Sequence, residues 1–235
     1  GLKEPKELLS QDIVVSSHIV DVANREQVYA WAENTIKDHG HVDCIINNAG
    51  VASTASIEEI RYEDFNWVFN IVFYGVLYGT KAFLPHLKQR SDAHIVNISS
   101  VNCFVATPRN GAYACAKHAV KALNQTLQQE LRNTSVNVTS VHPGGVKTNI
   151  ARNARSYDSK EVHQEQIVSF DQIAGTSAEK AASIIIKGIL KNRKRQLVGF
   201  DAIVIDGLSR IFPQQFSNML GFLHDRVRRK RMKNS

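Results

Sequence analysis

Tyr113-Ala-Cys-Ala-Lys117 sets a phenol and an ammonium four residues apart, and Ser99-Ser100 stands a short way upstream. Positions i and i+4 of a helix share a face, so both side chains can point at one reacting atom. Tyrosine normally titrates near ~10, too high to trade protons readily at neutral pH. A fixed positive charge nearby favours the phenolate and lowers that value toward the working range. A serine hydroxyl can hold the substrate oxygen whose proton is moving. The set suits proton transfer at an alcohol or carbonyl, and it still requires a hydride carrier.

Such a site needs strands that end at one edge. His94-Ile-Val-Asn-Ile-Ser-Ser100 reads as a short buried strand with polar residues at its C-terminal end. Val42-Asp-Cys-Ile-Ile46 reads as another, running into Asn47-Asn-Ala-Gly50. A third, Val136-Asn-Val-Thr-Ser-Val141, runs into His142-Pro-Gly-Gly-Val-Lys-Thr148. In open α/β sheets the carboxyl ends of strands hold ligands. Helical spacing at 24–38 puts Val28, Trp31, Ala32 and Ile36 on one face. A long helical region at 62–87 carries Asn70 and frays at Pro85, and the helix of Tyr113 and Lys117 continues to about Arg132. Residues 14–20 read as a strand closing at Asp21, 3–9 as a helix, and 196–199 as a last short strand. Thr176-Ser-Ala-Glu179 has capping-box spacing and opens a helix to about Leu190. The alternation predicts an α/β fold, a Rossmann-like doubly wound parallel sheet covered on both faces.

The chain resembles the short-chain dehydrogenase/reductase family. Asp21-Val22, Asn47-Asn-Ala-Gly50, Asn70, Ser100, Tyr113, Lys117 and Pro143-Gly-Gly-Val-Lys-Thr148 carry the resemblance, with Ser100 13 residues before Tyr113. Ala116, where many members have Ser, and Asn102-Cys103, where Ala-Gly is common, depart from the pattern. The resemblance implies an NAD(P)-dependent oxidoreductase interconverting an alcohol and a ketone or aldehyde. Tyr113 would be the proton donor or acceptor, Ser100 would bond the substrate oxygen, and Lys117 would lower the Tyr113 pKa and reach the nicotinamide ribose. Asn70 would hold a water joining Lys117 to solvent; its alternative role is to stabilise a helix kink. Asp21 and Val22 would lie at the adenine, Asn48 and Gly50 near its ribose, and Val146 and Thr148 at the nicotinamide carboxamide. The alternative role of Asn47-Asn-Ala-Gly50 is structural, knitting neighbouring strands by side-chain hydrogen bonds, and the two roles are compatible. Val51, Phe104, Val105 and the segment after Lys147 would line an apolar substrate pocket, with Cys103 in its wall. The resemblance also implies a homodimer or homotetramer paired through the helices of Asn70 and Tyr113.

A dinucleotide fold normally opens with a strand, a glycine-rich turn and a helix that holds the pyrophosphate. No such turn precedes Asp21. By the resemblance, the first strand, first helix and second strand are absent from this sequence. The strand at 14–20 would then lack a partner, which predicts a preceding segment of roughly 40 residues, the size of one βαβ unit. The choice between NAD and NADP rests on a residue outside the sequence. A catalytically silent nucleotide-binding or scaffold protein is the alternative reading.

With 235 residues, 43% hydrophobic and 22% charged, the chain fits one large domain of ordinary globular composition. Within it, 147–175 is polar and irregular and reads as a mobile substrate loop. Cys44, Cys103 and Cys115 form no metal or disulfide pattern, and their apolar settings predict buried thiols in a cytoplasmic, reducing compartment. His118 and His163 lack ligand partners at suitable spacing, so no metal is expected. No apolar run approaches the roughly 18 residues that span a bilayer. The formal charge is +7. Six of the positive residues (Arg226, Arg228, Arg229, Lys230, Arg231 and Lys233) sit at the end, leaving a nearly neutral body. Residues 212–235 form an apolar-then-basic extension, read as a solvated end, as weak contact with an anionic membrane surface, or as an apolar part packed on a subunit neighbour. Nucleic-acid binding is not expected, because the body lacks interleaved aromatic and basic residues.

Overall fold

Short Val- and Ile-rich runs bounded by polar residues build a four-stranded parallel sheet. The computed structural model describes residues 14–234, without the side chains of 224 and 227–234. The helix expected at 3–9 lies outside the described residues. Strands β1 (Cys44–Asn47), β3 (Ala93–Ile98), β4 (Val136–Pro143) and β6 (Arg195–Val198) lie side by side in that order. Ile45 pairs with Ile95, Ile95 with Val138, and Val141 with Gln196, all in parallel ladders. A second small sheet joins β2 (Ser53–Thr54) to β5 (Arg155–Ser156).

Both faces of β3 are buried, as strands covered by crossover helices require. Alternate residues feed opposite cores. Ile95 packs with Val28 and Ala32 of α1 (Arg25–His39) and with Phe83 and Leu87 of α3 (Gly75–Leu87). Val96 packs with Val141, Val198 and Ala181 of α6 (Ala178–Ile189). Burying a side chain such as Phe83 contributes roughly 1.5–3 kcal/mol. Asn24 caps α1, accepting from the Gln27 amide at 3.0 Å. Ser177 caps α6, one residue later than the Thr176 capping box predicts.

Three expectations change. Residues 14–20 form no strand. Their β-branched composition suits one, but a strand exists only beside a neighbour, and among the described residues none lies beyond β1. Residues 147–175 are not wholly irregular, since α5 (Lys160–Ile173) and β5 fall within them. The third is the expectation that no apolar run is long enough to span a bilayer: 62–87 is the long helical region read from the sequence, formed as one continuous run of α2 (Tyr62–Phe69), a π-helical turn (Asn70–Tyr74) and α3. By length and composition it is apolar enough to cross a bilayer, yet 44% of its most apolar window is buried inside the fold. It is the core helix, packed on β1, α1 and α4 (Gly111–Glu130). After β6 come α7 (Phe200–Ile211) and α8 (Pro213–Asn234).

Candidate active site

Ser99 and Ser100 follow directly on β3, and Tyr113 and Lys117 occupy the first turns of α4. Ser100 caps a 3-10 turn (Val101–Cys103), accepting from the Asn102 amide at 3.2 Å, and is buried. Ser99 anchors α4 by donating to the Lys117 carbonyl at 3.0 Å. Lys117 is buried, and its Nζ donates to the Ile98 carbonyl at 2.6 Å while lying 5.5 Å from the centre of the Tyr113 ring. The strand end and the helix start are thus tied through both serines and the lysine.

The electrostatics differ from expectation. Burial pushes the Tyr113 phenol up to about 12, a hydrogen bond with Ser100 pulls it down, and Cys103 adds to the rise. Lys117 does not reverse this. Its ammonium is drawn toward Ile98, and burial lowers its own pKa to about 8. The phenol is therefore held protonated, as a proton donor must be.

Asn70 opens the π-helical turn and its carbonyl accepts from the Gly75 amide. Its side chain is not hydrogen-bonded to Lys117, and the residue is exposed. π-Helical turns occur often at functional sites, and here the turn packs against α4.

Asn47 knits strands. Its Nδ2 donates to Asn97 Oδ1 at 2.7 Å and to Thr80 Oγ1 at 3.3 Å. Asn97 donates to Asn124 (2.7 Å), Asn124 donates to Ser140 (2.8 Å), and the Ser140 hydroxyl meets His142 Nε2 at 3.0 Å. His142 Nδ1 lies 3.1 Å from Cys103 Sγ. This buried chain crosses the sheet from β1 to β4. Gly79 makes room for it, since a Cβ there would overlap the Asn47 amide oxygen. Burial lowers the His142 pKa to about 4, with the Arg195 charge adding to the effect.

Cys103 is fully buried against His142, so it is no part of a substrate wall. Phe104 is also engaged elsewhere: its ring lies 4.7 Å from His142, with Lys121 and Arg195 each 4.9 Å from its centre. Cys44 and Cys115 are exposed, against the expectation of buried thiols. The first lies on the edge strand and the second on the outer face of α4. Asp21 is exposed, and its carboxylate accepts from the Ala23 amide at 2.9 Å. Val22 touches the position where a Gly75 Cβ would stand. Asn48, Gly50 and Thr148 are exposed and Val146 is half-buried. Lys147, Thr148, Asn149, Arg152 and Asp171 line an open cleft of about 390 Å³.

Sequence reasoning missed the residues that hold this edge. Asp201, at the start of α7, accepts from the Gly145 amide at 2.5 Å and so pins the Pro-Gly-Gly turn leading to Val146 and Thr148. Gly144 and Gly145 have no room for a Cβ beside Asp201 and Ala174. The strap at 149–158 is fastened twice. Buried Asp64 accepts from Arg155 Nη1 (2.6 Å), Arg61 Nη2 (2.7 Å) and the Tyr157 hydroxyl (2.5 Å). These donors hold the Asp64 carboxyl far below the usual carboxylate range. Arg109, two residues before α4, bridges Glu59 and Asp158, each at 2.9 Å. The Arg61-x-x-Asp64 spacing at a helix start was the one local signal available.

Residues 2–159 match the family described as short chain dehydrogenase. SadH of Mycobacterium tuberculosis, named as an oxidoreductase, is 39% identical over 209 residues, 88% of this chain and 75% of that protein. A short chain dehydrogenase/reductase from Burkholderia phymatum, solved in complex with NAD, is 29% identical. The match covers 81% of this chain and 73% of the other, with a TM-score of 0.75. An alcohol dehydrogenase from the archaeon Thermococcus sibiricus, complexed with 5-hydroxy-NADP, is 25% identical over 77% and 72% of the two chains, with a TM-score of 0.59. The extent of the family match, the identity to SadH and the shared sheet agree with the serine after β3 and the tyrosine and lysine on α4, and this chain belongs to the short chain dehydrogenase family.

Proposed function

We propose that the protein interconverts an alcohol and a ketone or aldehyde with NAD or NADP, using Tyr113 as proton donor and acceptor. One observation carries this reading: a half-buried Tyr113 phenol hydrogen-bonded with Ser100 and lying beside Lys117 at the carboxyl end of a parallel strand. The solved relatives contain NAD and 5-hydroxy-NADP. The residues here suit the nicotinamide half of such a cofactor. Exposed Asn48 and Thr148 at the strand ends, and the polar cleft beside Thr148, offer donors and acceptors for a carboxamide and ribose. Lys117 and Tyr113 would hold the nicotinamide ribose, Val146 and Thr148 the carboxamide, Asn48 and Gly50 the adenosine ribose, and Asp21 with Val22 the adenine. When bound, the dinucleotide supplies or accepts the hydride.

In reduction, Ser100 orients the substrate oxygen, and Tyr113 gives it a proton as negative charge develops there. Lys117 then stabilises the phenolate left behind, and Asn70 serves the water that returns the proton. In oxidation the same groups run in reverse. The substrate is an apolar alcohol or carbonyl, and the protein pairs with itself through the helices of Asn70 and Tyr113.

Tyr113→Phe tests this directly. Losing the proton donor should lower turnover by roughly 10²–10⁴-fold. Titration with NADH and NADPH, followed by energy transfer from tryptophan, should still show binding, weakened only by the lost contact between the Tyr113 hydroxyl and the ribose. Wild-type turnover in Tyr113→Phe would overturn the assignment, and failure of the wild type to bind either nucleotide would overturn the cofactor.

A further inference from the structure

The C-terminal helices expose an unusual amount of apolar surface. On α7, Phe200, Ile203, Val204 and Ile211 recur at three- and four-residue spacing, and all are exposed, Phe200 by 81% and Ile211 by 70%. The opposite face, with Ala202 and Asp206, is buried against the body. Gly207 continues the exposed stripe, with open space around it. The stripe does not stop at the helix end. Phe212 at the junction, then Met219, Phe222 and Leu223 on α8, are also exposed, while Phe216 is buried and α8 packs on α7. Scattered exposed apolar side chains are ordinary, but a continuous set marks a surface for something else.

Charge indicates what that surface meets. From residue 212 to the end, the sequence holds Arg226, Arg228, Arg229, Lys230, Arg231 and Lys233 against a single acid, Asp225. A second copy docking here would bring an equally basic end toward this one, and like charges would oppose the pairing. A layer that is apolar inside and anionic at its surface satisfies both halves. We propose that α7 and α8 form a docking surface for an anionic lipid membrane. The apolar stripe enters the boundary between headgroups and acyl chains, and the basic end meets the lipid phosphates. The protein lies on the membrane by this surface without spanning it. The inference does not depend on the chemistry at Tyr113.

The test is co-sedimentation of the full chain with vesicles of phosphatidylcholine alone and of phosphatidylcholine mixed with phosphatidylglycerol. Binding is expected to the mixed vesicles, and added salt should weaken it. Each of Arg228, Arg229, Lys230 and Arg231 changed to Gln should weaken partition by roughly fivefold. The pair Phe200→Ser and Ile203→Ser should weaken it further while leaving the melting temperature unchanged, because both side chains already face solvent. No partition into mixed vesicles at low salt would overturn the proposal. So would partition indifferent to the Phe200 and Ile203 changes. Self-association that these changes abolish, in a protein that ignores lipid, would assign the surface to a second copy instead.

Discussion

Asp64→Asn should release the strap over the active-site edge. The Asp64 carboxylate is 2% exposed and accepts from Arg61, Arg155 and Tyr157. An amide keeps the size but removes the charge, and it turns one acceptor into a donor that faces other donors. Removing one partner of a fully buried ion pair costs about 3–5 kcal/mol. Here the guanidinium partners are 69% and 48% exposed, so water can rehydrate them once the carboxylate is gone. The loss falls closer to that of charged hydrogen bonds, about 2–3 kcal/mol. If that energy holds the strap shut, the open fraction should rise roughly 30- to 150-fold. Limited trypsin digestion reads this population when opening is fast relative to cleavage. Mass spectrometry should locate the new cuts after Arg152, Arg155 or Lys160. Arg155 also stacks 3.8 Å from the Trp67 ring centre, so tryptophan emission should shift as the strap leaves. Asp64 is held below its unfolded pKa, so its stabilisation is complete above about pH 4 and is lost as pH falls below that. Wild-type nicking should therefore be independent of this group between pH 5 and 8 as an approximate working range. Arg90→Gln, which breaks an exposed pair with Asp43, serves as the control and should cost less than about 1 kcal/mol. An Asp64→Asn strap cut at the wild-type rate would refute the reasoning.

Other substitutions probe the scaffold behind the site. Gly79→Ala should overlap the Asn47 amide and destabilise the fold by about 1–3 kcal/mol, seen as a Tm lower by roughly 2–4 °C per kcal/mol. His142 is buried and its pKa is about 4, so the unfolded chain binds the proton first as pH falls. Stability should be unaffected above about pH 6.5, then drop by up to roughly 3 kcal/mol as pH falls toward 4. Urea unfolding of His142→Gln should lack that dependence. Asp201→Ala should free the Gly144-Gly145 turn and raise the KM for the nicotinamide cofactor more than it lowers kcat, which steady-state kinetics would show.

The parts of this fold legible in the sequence are those whose signal is local. Val138 and Val141 or Ile95 and Val96 announce strands because the same side chains that bias the backbone also fill the core. Asn24 announces a helix start because its cap bond reaches only to Gln27. Tyr113 and Lys117 are legible for the same reason, being neighbours on one helical face. The strap at 149–158 is mostly polar, and its order comes from Asp64, 91 residues before Arg155. No window of sequence contains both. Residues 14–20 fail in the opposite sense: the local preference for a strand is present, and among the described residues no strand pairs with it. The helix α7 went unread in the sequence, and the positive φ of Gly199 marks where the chain turns from β6 into it.

The Tyr113–Lys117 pair shows why spacing alone misjudges electrostatics. Helical spacing places the ammonium near the phenol and predicts a lowered tyrosine pKa. The same packing that brings them together also removes both from water, and desolvation favours the neutral form of each. Tyr113 rises to about 12 and Lys117 falls to about 8, the directions of burial and not of mutual attraction. The Ile98 carbonyl then takes the lysine donor that might have turned to the hydroxyl. A charged lysine becomes useful to Tyr113 mainly after the proton has left, when the phenolate gives it a partner. Lys117→Met would then reveal the true role. If the lysine acts on the phenolate, the pH at which oxidation begins should rise, because oxidation needs the deprotonated phenol. Reduction by the protonated phenol should suffer less. Equal losses in both directions at all pH values would make Lys117 a strut between α4 and β3 and nothing more.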